Sequence, residues 1–113
     1  LLLVLERGVL GRPYCIGGES EARNLHLVTA ICGLLDEMRP EGAPHARLIA
    51  FVADRPGHDA RYAIDPGRIR AELGWRPSVT LEEGLRRTVR WFLDNEPWWR
   101  PVQEAAARRR GVA

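Results

Sequence analysis

Arg55 and His58, carried by the run Asp54-Arg55-Pro56-Gly57-His58-Asp59, are the side chains of this sequence best suited to grip a ligand. A guanidinium presents a planar fork that matches two phosphate oxygens at once, and an imidazole three positions on adds a second donor. Pro56-Gly57 fits the two central positions of a type II turn, proline presetting the first dihedral and glycine allowing a positive φ at the second. Two readings of this run stand side by side. In one it is an anion grip; in the other it is a strand-to-strand turn with a surface ion pair between Asp54 and Arg55. Asn24 is the second candidate, at the start of a helical pattern. There its side chain either caps the free amides or, if the helix start is an anion site, turns toward a phosphate. Glu19 and Glu21 nearby weaken the anion reading.

The elements that must position these groups follow from periodicity and punctuation. Leu48-Ile49-Ala50-Phe51-Val52 leads into the turn and reads as a buried strand, so the turn would project from a rigid edge. Arg61 to Ile64 leads out as an extended segment. Upstream, Leu1 to Gly8 reads as the last turns of a helix ending at Gly8, and Tyr14-Cys15-Ile16 as a short strand closed by Gly17-Gly18. Leu25, Val28, Ile31, Cys32 and Leu35 recur at helical spacing after Asn24 at the N-cap, and Arg39-Pro40 ends that pattern. Asp65 and Pro66 open a further helix as N-cap and N1, with Ile69 and Leu73 inward and Gly74 as the stop. Trp75 reads as a core anchor. Thr80-Leu81-Glu82-Glu83 is a capping box for a helix whose stripe is Leu81, Leu85, Val89, Phe92 and Leu93, and Pro97-Trp98-Trp99 terminates it.

Composition narrows the chemistry. The 113 residues fit one domain with one core, although a start at Leu1 and a helix cut at its beginning suggest a piece of something larger. All 17 basic residues are arginine, which removes every mechanism that needs a lysine base, Schiff base or phosphate clamp within the chain. A net charge of +2 with arginines scattered among acids leaves no nucleic-acid footprint except Arg108-Arg109-Arg110, which reads as a solvated tail. The apolar stretch at Leu1 to Leu5 is far too short to span a membrane. Cys15 and Cys32 share no metal or redox spacing with each other or with His26, His45 and His58; buried free thiols in a reducing cytoplasm, and no metal, are expected.

Taken together, several stretches resemble the carboxyl-terminal third of the dTDP-glucose 4,6-dehydratases, nucleotide-sugar enzymes of the extended short-chain dehydrogenase family. They are Tyr14-Cys15-Ile16-Gly17-Gly18, Asn24-Leu25, Asp54 to Asp59, Arg61-Tyr62-Ala63-Ile64-Asp65, Glu72-Leu73-Gly74-Trp75-Arg76-Pro77, Gly84 to Trp91 and Trp98-Trp99. The resemblance covers nearly the whole chain, to about Val102. The Leu-Gly-Trp-x-Pro and Gly-Leu-x-x-Thr patterns are shared by that wider family, whereas Asp-Arg-Pro-Gly-His-Asp with Arg-Tyr-Ala-Ile-Asp is similar to the dTDP-glucose dehydratases in particular.

The resemblance implies an α/β fold class: the carboxyl-terminal, substrate-binding part of a Rossmann-type subunit, with three to four helices and short strands. It places a nucleotide-sugar-binding domain at 1–102 and an arginine-rich tail at 103–113, and puts the Rossmann domain, with its NAD, upstream. It implies a cytoplasmic, homodimeric lyase of deoxysugar biosynthesis, such as the route to rhamnose. That enzyme oxidises the sugar at C4, eliminates water across C5 and C6 and returns the hydride to C6. Asn24 and the residues Asp54, Arg55, Pro56, Gly57 and His58 match positions that line the dTDP-sugar site. The glycine-rich NAD turn, the Tyr-x-x-x-Lys pair and the Asp/Glu acid-base pair of the family have no counterpart here, so this chain alone should not turn over. Cys15 stands where that family commonly has asparagine, and Ala60 where a second arginine is frequent. Alternatives are another nucleotide-sugar epimerase, dehydratase or decarboxylase, or a non-catalytic nucleotide-sugar or protein-binding module.

Overall fold

The structure, a computed structural model, describes residues 1–59 and 61–109. Five α-helices are present among them: α1 (Leu2–Arg7), α2 (Asn24–Met38), α3 (Gly67–Leu73), α4 (Leu81–Asp94) and α5 (Glu96–Arg109). Two short 3₁₀ turns, Pro40–Gly42 and His45–Leu48, follow α2 and pack on it.

The helix boundaries come largely from local chemistry. Thr80 caps α4 by accepting from the Glu83 backbone N–H at 3.2 Å, one half of the expected box. The Glu83 carboxylate instead pairs with Arg87 one turn on. Gly74 ends α3 in the left-handed region at φ 69°, a conformation that costs a residue with a Cβ. At the other end of α3, Asp65 does accept from the Gly67 backbone N–H at 2.7 Å, but Pro66 holds the N-cap position. Gly8 ends α1 for a different reason. Its backbone is extended, and a Cβ there would lie 2.4 Å from the Val4 carbonyl oxygen.

Helices α2 and α4 form the main packed pair, with α5 against α4 and α1 against α3. Cys32, Val89, Ile69 and Leu73 are the buried apolar residues, drawn from α2, α4 and α3. Arg86 on α4 holds Glu37 on α2 with two bonds of 2.6 and 2.8 Å across the outer edge of that pair. Leu81, Leu85 and Leu93 are half-buried beside Val89, but Phe92 stays 48% exposed, so the stripe is narrower than its sequence suggests. Leu25 and Val28 likewise lie exposed, and the inward face of α2 is carried instead by Leu27, Ala30, Ile31, Cys32 and Leu35. Trp75 is half-buried.

Three expectations need correction. No strand occurs among the described residues: Tyr14 to Ile16 and Ile49 to Val52 are irregular, and Leu48 closes a 3₁₀ turn. A strand requires a neighbour to take its backbone bonds, and neither stretch has one here. Phe51 and Val52 are accordingly 83% and 87% exposed. Pro97-Trp98-Trp99 does not terminate α4. Asp94 ends it, Asn95 donates its side-chain amide to the Trp91 carbonyl at 2.8 Å, and Pro97 sits in the first turn of α5, where its missing N–H costs nothing. Trp98 then meets Trp91 edge-on at 5.4 Å, and the Trp99 indole donates to the Phe92 carbonyl at 2.7 Å. The two cysteines are both free, but only Cys32 is buried; Cys15 is exposed. Arg110, the end of the arginine run, lies outside the described residues.

Candidate functional site

The turn at 54–58 forms as its residue types dictate. The His58 backbone N–H reaches the Arg55 carbonyl at 3.3 Å, and Gly57 takes φ 71°, as the third position of a type II turn requires. One carboxylate oxygen of Asp54 then does two things. It accepts the Arg55 backbone N–H at 2.8 Å and the His58 ring at Nδ1 at 2.6 Å. The His58 ring, and after it that backbone N–H, hold the Asp54 carboxyl below its ordinary range, so it is ionised and can only accept. Nδ1 of His58 therefore carries a proton, which leaves Nε2 as the ring nitrogen Asp54 does not engage.

This arrangement decides against the ion pair between Asp54 and Arg55. Asp54 is spent on the backbone and on His58, and the Arg55 guanidinium makes no hydrogen bond or ion pair among the described residues. An arginine left unpaired on a turn braced by three bonds is a cation held ready for an anion from outside.

Asn24 is the first helical residue of α2, and Arg23, in extended backbone at φ −68° and ψ 143°, occupies the N-cap without a side-chain bond. The N-cap expectation for Asn24 is thus off by one residue, and its exposed amide is not spent on capping. The acids that weakened an anion site here are both neutralised. Glu19 pairs with Arg70. Glu21 takes a two-pronged grip from Arg61, with Nε and one terminal nitrogen each at 2.8 Å, and that guanidinium keeps the Glu21 carboxyl below its usual range. Neither pair was legible in the sequence, since Glu21 and Arg61 are 40 positions apart and nothing local links them.

Gly17 and Gly18 do not serve a dinucleotide. A Cβ on Gly17 would lie 3.2 Å from the Ile64 side chain, so this glycine lets the segment after the turn pass close by. No strand precedes the pair among the described residues, and the next helix begins only at Asn24. The residues present do not fit NAD. Among the described residues, no group of three or more His, Cys, Asp or Glu could hold a metal ion, and no helix is long and apolar enough to cross a membrane.

An open groove of ≈ 640 Å³ runs past Gly18 to Ala22, His26 and Arg76 to Glu82. None of the six expected site residues lines it. Arg55, Asn24 and their neighbours instead stand on open surface.

Comparison with known proteins identifies the family. Residues 8–88 match the family model described as GDP-mannose 4,6 dehydratase. A dTDP-glucose 4,6-dehydratase of Neisseria meningitidis serogroup B is 49% identical over 112 residues, which is 96% of this chain and 32% of that protein. The enzyme of the same name from Salmonella typhimurium is 49% identical over 106 residues, 94% of this chain and 29% of that one. Among solved structures, dTDP-glucose 4,6-dehydratase from Bacillus anthracis in complex with NAD superposes with a TM-score of 0.73 at 39% identity, covering 88% of this chain and 29% of that one. The chain thus spans about a third of the length of these relatives.

Proposed function

The chain belongs to the GDP-mannose 4,6-dehydratase family, and from that membership we propose that it is the nucleotide-sugar-binding part of a dTDP-glucose 4,6-dehydratase. In this reading residues 1–102 hold the substrate and 103–113 extend beyond the site. The complete protein is an NAD-dependent lyase that eliminates water from dTDP-glucose to give the 4-keto-6-deoxy sugar. NAD binds to the part of the protein outside this chain, since no dinucleotide turn fits here. The full-length protein is a cytoplasmic homodimer, and the 113 residues alone are inactive.

The observation that carries this reading is the free Arg55 guanidinium on a turn braced by Asp54 and closed by His58. A diphosphate offers paired oxygens to a planar fork, and burial of a bidentate pair under substrate strengthens it relative to the exposed state. His58 adds a ring nitrogen on the same turn. Asn24, with both carboxylates near it neutralised, adds an uncharged donor and acceptor suited to a phosphate or a ribose hydroxyl. Asp54 does not itself meet the anion; its oxygen is committed to the turn. The relatives named above act on dTDP-glucose by their names, and the full Asp54 to Asp59 run supports the thymidine nucleotide over others.

The test is the thermal stabilisation of the full-length protein by dTDP, UDP and GDP. The reading expects dTDP to raise the melting temperature most, and dTDP-glucose to be converted to its 4-keto-6-deoxy product. Equal or greater stabilisation by UDP or GDP would reassign the substrate to another nucleotide sugar, and no stabilisation by any of the three would overturn the binding role.

A further inference from the structure

We propose that Glu21 and Arg61 are positioning residues: their ion pair clamps the segment leading to Asn24 against the segment leaving the Arg55–His58 turn, and so assembles the two halves of the site. This rests on the nucleotide-binding reading given above.

Two contacts define the juxtaposition. Gly17 lies flush against Ile64, with an added Cβ at 3.2 Å from its side chain, and Glu21 is held by Arg61 through bonds of 2.8 Å from Nε and 2.8 Å from a terminal nitrogen. Moving four residues forward along one segment corresponds to moving three back along the other. That is the order of antiparallel neighbours, although no backbone ladder joins them among the described residues.

Neither segment has regular structure that would fix it otherwise, so the clamp is the polar tie closest to both halves of the site. Asn24 lies three residues beyond Glu21, and His58 three residues before Arg61. Both partners are largely exposed, 53% for Glu21 and 71% for Arg61. Exposed pairs act weakly on overall stability, but this one spans 40 positions of sequence and controls where two ligand-facing segments stand. Its geometry also matters. Arginine holds a carboxylate with two parallel bonds, which fixes orientation as a single ammonium contact does not.

The experiment is dTDP titration of the full-length protein by calorimetry, with Glu21→Arg, Arg61→Glu, the double exchange Glu21→Arg/Arg61→Glu, and Arg55→Ala as reference. Each single exchange is expected to weaken dTDP binding roughly fivefold or more, the scale of one exposed pair together with the repulsion it leaves behind. The double exchange, which restores an ion pair of opposite polarity, is expected to recover most of that loss. Steady-state kinetics should place the single-exchange effect in KM and leave kcat nearly unchanged. Should a single exchange fail to fold, Glu21→Gln and Arg61→Gln replace it, each expected to weaken dTDP binding by a smaller factor and their double variant by no more than the worse single, since both remove the same pair. Unchanged affinity in the singles overturns the proposal. So does a double exchange no better than the worse single, which would mean that one of the two residues touches the ligand itself. If Arg55→Ala also binds dTDP normally, it is the nucleotide-site reading that fails.

Discussion

The helical part of this molecule and its extended segments are built from similarly apolar sequence, yet only the first buries it. In α2, α3 and α4 the backbone satisfies its own hydrogen bonds within each helix, and side chains of each are buried: Cys32 and Val89 on the packed pair α2 and α4, Ile69 and Leu73 on α3. Ile69 is 2% exposed. In the segment Ile49 to Val52 the side chains are no less apolar, but Phe51 is 83% and Val52 87% exposed. The consequence shows in the dimensions: the radius of gyration is 18.6 Å, against about 13 Å for a compact domain of this length. Burial in this chain follows the elements that can pair with themselves. The turn at 54–58 sits on a segment that cannot, held by a few polar ties.

That contrast can be broken by substitution, and the helical core should give the largest response. Ile69→Ala removes a nearly fully buried side chain and should lower stability by about 3 kcal/mol, read from chemical unfolding. A loss below about 1 kcal/mol would mean that Ile69 is not packed as α3 places it. Thr80→Ala removes the one side-chain cap of α4 and should cost about 1 kcal/mol by the same measurement, with Thr80→Ser restoring most of it. Phe51→Ser, in the exposed segment, should change stability by no more than about 0.5 kcal/mol. A loss as large as that of Ile69→Ala would show that Phe51 is buried after all.

A fourth prediction sharpens the contrast by pH. Glu72 on α3 accepts the Tyr14 hydroxyl at 2.7 Å and an Arg12 nitrogen at 2.8 Å, tying an extended segment to a helix. The Tyr14 hydroxyl, then Arg12, hold its carboxyl below the ordinary value of 4.5. Because the folded-state value is depressed, the contribution is fully present above that ordinary value and is lost as pH falls through the lower one. Tyr14→Phe should therefore be less stable than the parent at neutral pH, with the difference shrinking in acid. A pH-independent difference would assign the effect to packing.

How much of this was legible in the sequence follows the same division. Gly74 as the stop of α3, Thr80 as the cap of α4 and the inward pair Ile69 and Leu73 were readable because each depends on residues within one or two turns. So was the turn at Pro56-Gly57, whose dihedrals its own two residues set. The strands at Tyr14 to Ile16 and Leu48 to Val52 were misread because an apolar run shows only a wish for burial, and the partner that would make it a strand is not encoded nearby. Pro97 was misread as a stop because proline opens helices as readily as it ends them, and Asn95 settles which. Of the candidate site, the residue types at 54–58 were legible. The commitment of Asp54 to His58 rather than Arg55 was not, nor was the clamp between Glu21 and Arg61, because both are choices among charges that only the fold resolves.

The central claim is that Arg55, left unpaired by Asp54, grips the diphosphate of a nucleotide sugar. Calorimetric titration of dTDP into the full-length protein and its Arg55→Ala variant tests it most directly. The account predicts a Kd weaker by roughly thirtyfold, on the order of 2 kcal/mol for a charge-assisted bidentate contact, with the melting temperature of the free protein unchanged. An unchanged Kd in a folded variant would contradict it and leave Arg55 a solvated residue on a well-formed turn.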